Sequence, residues 1–181
     1  MKTLKKTTYV LAIALALIFT GCSKDDDGGG GGAAAAGTMT AKVDGSTVTT
    51  LEMTTYASMV SQGGASVLIV QGNTGGTSSK AFNLQITGVD GPGTYEIGGD
   101  FIFSAIAAYI EVTVDPSNPT AAETDEWVAP FDGGEVVGEI KISELTDANV
   151  KGTFRFSAKH QENDSMKEIT EGSFDVDVNQ F

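Results

Sequence analysis

The chain reads as all-β: a single antiparallel β-sandwich or barrel-like domain of about 8–10 strands over residues 38–181. Three observations predict this. Apolar residues recur with period two through most of the body. Turn-forming Asp-Gly, Gly-Pro-Gly and Asn/Asp clusters fall between the apolar runs. No long stretch carries the pattern of an amphipathic helix.

The elements follow in chain order. Met39–Val43 and Thr47–Leu51 flank Asp44-Gly45, a two-residue hairpin signal. Leu51–Val60 is ambiguous, because Met53, Tyr56, Ala57 and Val60 have near-helical spacing while its threonines and Tyr56 favour a strand. Phe82, Leu84 and Ile86 alternate with Asn83, Gln85 and Thr87. Asp90-Gly91-Pro92-Gly93 precedes Thr94–Ile97, and Gly98-Gly99-Asp100 precedes Phe101–Val114. Ile140 and Ile142 alternate with Glu139, Lys141 and Ser143. Phe154, Phe156 and Ala158 alternate with Arg155, Ser157 and Lys159; Phe174, Val176 and Val178 alternate with Asp175, Asp177 and Asn179. Successive strand side chains point to opposite faces, so each run has one dry and one wet face, as antiparallel sheets do. Leu145–Asn149 and Gln161–Ser165 connect the last strands, and Phe154, Phe156 and Phe174 are expected at the centre of the core. No long period repeats, which excludes a solenoid or propeller.

Residues 115–134 stand apart as an expected irregular loop, since they hold three of the four prolines, Pro116, Pro119 and Pro130. They also hold the one tryptophan, Trp127, among Glu123, Asp125 and Glu126, with Phe131 nearby. Long loops of this kind are often functional. Trp127 and Phe131 are therefore candidate contacts for a sugar ring or a protein partner. The competing reading makes Trp127 a core plug at the open end of the sheet.

The amino terminus carries a different message. Basic residues Lys2, Lys5 and Lys6 precede an apolar run from Tyr9 to Phe19, then Thr20-Gly21-Cys22. The run is too short to cross a bilayer, which takes roughly 20 residues, and it reads as a cleaved export leader. Leu17-Ile18-Phe19-Thr20-Gly21-Cys22 resembles a bacterial lipoprotein signal. That resemblance implies cleavage after residue 21 and lipidation of Cys22, with Phe19 departing from the usual leucine. Lys24-Asp25-Asp26-Asp27 resembles the surface-export signal of Bacteroidota lipoproteins; its plainer reading is a solvated charged tether. Residues 22–37, rich in Asp, Gly and Ala, form the expected tether, a coil with an end-to-end distance of roughly 20 Å.

Composition bounds the partners. Three of the 11 bases lie in the leader, leaving 8 against 24 acids, a net charge of −16 for the remainder. Such a surface repels nucleic acid, and no nucleic-acid partner is expected. With Cys22 the single cysteine, no disulfide is expected. His160 is the only histidine, which excludes sites needing two imidazoles. It reads as a solvated turn residue. No Gly-x-Ser-x-Gly elbow and no Ser-x-x-Lys pair occur. Asp175-Val176-Asp177-Val178-Asn179 begins like a calcium loop, but Gln180 replaces the required glycine and the valines read as strand. Gly91-Pro92-Gly93 leads into a strand, so no helix amides await a phosphate. No metal, no cofactor and no enzymatic activity are expected.

Three further segments carry a family resemblance: Met39–Gly45, Gly93–Gly98, and the run from Gly138–Ser143 through Val150–Phe156 to Glu171–Val176. Together they resemble a family of β-rich Bacteroidota lipoproteins without an established activity, over residues 38–178. Val48 stands where that pattern places an aromatic. The lipid anchor, the flexible tether, the acidic surface and the missing catalytic set together predict a monomeric, non-catalytic binding domain held to the outer membrane by its N-terminal lipid and facing the exterior, with the periplasmic face as the alternative. Its expected ligand is a glycan or a protein. The alternatives are an accessory subunit of an outer-membrane complex and a carboxylate-based hydrolase.

Overall fold

The structure, a computed structural model, describes residues 32–62, 64–99, 105–118, 120–131 and 134–180. Cys22, Lys24, Asp25, Asp26 and Asp27 lie outside the described residues. Strand β1 (Thr38–Val43) folds back onto β2 (Ser46–Thr49) through Asp44 and Gly45, whose φ angles are 47° and 81°. Two left-handed residues in a row make the hairpin turn whose twist matches its strands. A single 3-10 turn, Glu52–Thr54, leads into β3 (Tyr56–Gln62), so the ambiguous stretch resolves as turn then strand. There follow β4 (Ala65–Asn73), β5 (Ser78–Thr87), β6 (Gly93–Gly98), β7 (Ala105–Thr113), β8 (Glu123–Ala129), β9 (Val136–Leu145), β10 (Asn149–His160) and β11 (Met166–Gln180).

These strands form one sheet that closes on itself like a barrel. β3, β4, β5 and β7 are neighbours in antiparallel register. β7 continues to β8, β8 to the end of β10, β10 to β11, and β11 back to β3. β6 and β9 span from β7 to β10 over the other half of the wall. The β11–β3 pairing (Val178–Gln180 with Ala57–Met59) and the β6–β7 bridge (Ile97 with Ala105) are parallel, so the sheet is mixed rather than purely antiparallel as predicted.

The irregular loop expected over residues 115–134 is corrected. Glu123–Ala129 is strand β8, paired with β7 from Thr113↔Glu123 to Ala107↔Ala129. Pro116 and Pro130 lie outside the strand, where their missing N–H groups cost the ladder nothing.

Inside the wall, rings touch in series. Phe174 lies 6.3 Å from Phe154, Phe154 5.5 Å from Phe82, Phe82 5.6 Å from Tyr109, and Tyr109 5.8 Å from Trp127. All fall in the range where tilted and edge contacts are favourable. Glycines make the room. Gly152 is the register partner of Phe174 and Gly172 that of Phe154. A Cβ on Gly172 would stand 2.7 Å from Phe154 Cδ2, so the ring lies directly on the bare backbone. β11 bends beside this point: Glu171 has φ 51°, and the register shifts on both flanks, at Thr40/Lys42 and at Phe154/Phe156.

The segment before β1 is attached to the barrel. Gly37 N–H donates to Asp175 O at 2.7 Å, and Ser173 Oγ donates to Gly32 O at 3.0 Å. Among the described residues, contact with the body thus reaches back to Gly32.

Candidate functional site

One end of the barrel gathers the aromatic and titratable groups. Trp127 faces inward from β8 and is 6% exposed, with Nε1 donating to Ser165 Oγ at 3.1 Å. Lys167 Nζ sits 5.1 Å from the ring centroid and pairs with Asp44 Oδ2 at 3.0 Å. The Glu168 backbone N–H, followed by the Lys167 ammonium, holds the Asp44 carboxyl below its ordinary value. Burial, with the Glu111 carboxylate accepting its hydroxyl at 2.7 Å, pushes the Tyr109 phenol up.

His160 completes this end, and its setting overturns the solvated-turn expectation. It is 5% exposed and meets Trp127 edge-on at 5.0 Å. Nδ1 accepts the backbone N–H groups of Glu162 (3.1 Å) and Asn163 (3.3 Å). That pattern assigns the proton to Nε2, which donates to Asp125 Oδ1 at 3.2 Å. Both nitrogens are engaged: Nδ1 holds the β10–β11 turn and Nε2 ties His160 to β8. Trp127, buried between these groups, has no open ring face for a sugar. Phe131 is half-buried beyond the end of β8. The structure therefore does not present Trp127 and Phe131 together on an exposed loop.

The opposite end opens into a cleft of about 370 Å³. Met59, Val89, Leu145 and Val178 provide its apolar lining, and Ser61, Ser66, Thr146, Asp90 and Asp147 its polar one. Among the described residues, no group of three or more His, Cys, Asp and Glu side chains could hold a metal ion. Asp175, from the calcium-like stretch, instead pairs with Lys151 at 3.2 Å and accepts from Asn149 Nδ2 at 2.9 Å.

The outer wall is divided by charge. β1, β9, β10, β11 and their turns carry the ion pairs Lys42–Glu171, Arg155–Glu139, Lys151–Asp175 and Lys159–Asp164. The wall of β3, β4, β5 and β7 is different. Its outward positions run in rows: Ser58, Ile69, Gln85 and Ile106; then Tyr56, Gln71, Asn83 and Ala108; then Val60, Val67 and Thr87. None of these carries a charge. Tyr56, Val60 and Ile106 are 42%, 43% and 40% exposed, and Leu51 and Met53, just ahead of β3, are also exposed. Gln71 Nε2 donates to the Tyr56 hydroxyl and so braces that ring. Sequence reasoning passed over this panel. Its signal was present as a loss of alternation, with Val67-Leu68-Ile69-Val70 apolar on both faces.

Among the described residues, no helix is long and apolar enough to cross a membrane. A family model described as "Domain of unknown function (DUF6252)" matches residues 36–176. No curated protein and no solved structure matches the chain.

Proposed function

The chain belongs to the DUF6252 family, and from that premise we propose that it is a lipid-anchored outer-membrane lipoprotein whose β-domain binds a partner outside the cell. The observation that carries the binding role is the uncharged panel of β3, β4, β5 and β7. A chain of net charge −13 that leaves one broad wall free of acids and bases, with aliphatic side chains exposed, has a face suited to contact. The engaged nitrogens of His160 favour a non-catalytic reading.

The anchor rests on Leu17–Cys22 and the surface orientation on Lys24–Asp27. One lipid chain binds a membrane only marginally, while two or three hold lastingly. Ten residue steps separate Cys22 from Gly32, the first described residue held to the barrel, a reach of at most about 35 Å. The domain would therefore work close to the lipid surface. An accessory role in an outer-membrane complex is the second reading, favoured by exposed Val60 and Ile106 on the same panel.

Metabolic labelling with an alkyne fatty acid tests the anchor. Wild-type protein should take up label and partition with membranes, and Cys22→Ala should do neither. Protease treatment of whole cells should degrade the protein, and replacing Lys24, Asp25, Asp26 and Asp27 with alanine should protect it. A native protein of unacylated mass, or a Cys22→Ala variant still held in the membrane, overturns the proposal.

A further inference from the structure

We infer that the panel of β3, β4, β5 and β7 is a binding face for a neutral polysaccharide. The inference rests on the reading of this protein as a surface interaction domain, and it names the partner class. Charge is the first argument. The opposite wall is crossed by ion pairs, and a polyionic partner would be drawn to or repelled by charges that this panel lacks.

The second argument is the pattern of polar groups. Gln71, Asn83 and Gln85 lie side by side on β4 and β5, since Gln71 is the register partner of Asn83 and Gln85 is two residues along. Neighbouring strands are about 4.8 Å apart, so their carboxamides form one compact stripe. Each carboxamide offers an acceptor oxygen and two N–H donors, which suits hydroxyls that both donate and accept. Ile69 and Ile106 flank Gln85 in its row, and the Tyr56 ring stands beside Gln71. A sugar chain has the matching division, hydroxyl edges alternating with C–H faces. The apolar face of a protein helix, whose backbone groups are already paired, would use the aliphatic ridges but leave the carboxamide stripe without partners, at a desolvation cost.

Affinity electrophoresis in native gels tests this with the purified full protein. Soluble β-glucan, mannan and starch serve as neutral probes, and alginate as the polyanionic control. At least one neutral polymer should retard the protein and alginate should not. Asn83→Ala and Gln85→Ala should each weaken retardation about five- to tenfold, and Ile106→Glu, at an exposed position, should abolish it. Arg155→Ala, on the opposite wall, should leave it unchanged. Circular dichroism melts confirm that each variant is folded. Retardation that survives Ile106→Glu overturns the panel as the site while leaving a surface binder in place. No retardation by any neutral polymer overturns the polysaccharide assignment. If the protein then self-associates, or holds an envelope protein, in a way that Ile106→Glu disrupts, the interaction reading stands with a protein as the partner.

Discussion

Gly172→Ala places one methyl group where the barrel has no space for it. The new Cβ would stand 2.5 Å from the Phe154 carbonyl oxygen and 2.7 Å from Cδ2 and Cε2 of its ring. Neither can retreat easily. The carbonyl belongs to a strand held in register on both sides by β9 and β11. The ring is backed by Phe82, Phe156 and Phe174 at centroid distances of 5.5, 6.2 and 6.3 Å. Overpacking typically costs about 1–3 kcal/mol, and this site lies at the upper end. Lowering the entropy of the unfolded chain returns about 0.4–1 kcal/mol, leaving a net loss of about 2 kcal/mol. For a domain of this size, that lowers Tm by about 5–8 °C. Urea unfolding should show a lower midpoint with an unchanged slope. Gly93→Ala is the control, since a Cβ there meets Tyr95 at an ordinary 3.7 Å, and its stability should hold or rise slightly. Adding Phe154→Leu to Gly172→Ala should cost less than the two single losses combined, because the shorter side chain clears the methyl. A Gly172→Ala protein as stable as the wild type would refute the close-approach account.

Three more outcomes follow from the same core. Trp127 fluorescence should be blue-shifted and resistant to acrylamide, and Trp127→Ala should cost about 3–5 kcal/mol in chemical denaturation; a red-shifted, readily quenched signal contradicts the burial. His160→Ala leaves the Glu162 and Asn163 amides without their acceptor, so it should cost about 1–3 kcal/mol and speed hydrogen exchange at those amides; unchanged exchange would count against the Nδ1 assignment. Asp44 has its pKa depressed by folding, so its stabilising contribution is present above the unfolded value of about 3.9 and fades as pH falls through the lower native value. Asp44→Asn should therefore be less stable than wild type at pH 7, and the two melting curves should converge in strong acid; a gap that persists at the lowest pH refutes the assignment.

The legible parts of the fold were the strands with one wet face. β5, β9, β10 and β11 alternate cleanly because solvent covers their outer sides. β4 gave no such signal, for its outward Val67 and Ile69 are apolar like its inward Leu68 and Val70. The loss of period two marks the uncharged panel itself. β8 was hidden by its charged first half, Glu123 to Glu126, which projects past the hydrophobic interior. His160 was readable in retrospect, since the inward series Phe154, Phe156, Ala158 reaches it two residues on. What no local pattern could supply is the pairing of strands far apart in sequence, such as Thr38 with Asp175.

β11 touches β1, β3 and β10, elements separated by most of the chain. It acts as the keystone of an arch: the ring cannot be latched until residues 166–180 have arrived. Closure between such distant partners is intrinsically slow. A chain threaded amino-terminus first would therefore pass through any translocation channel as open, unlatched strands, and would gain its rigidity only after release.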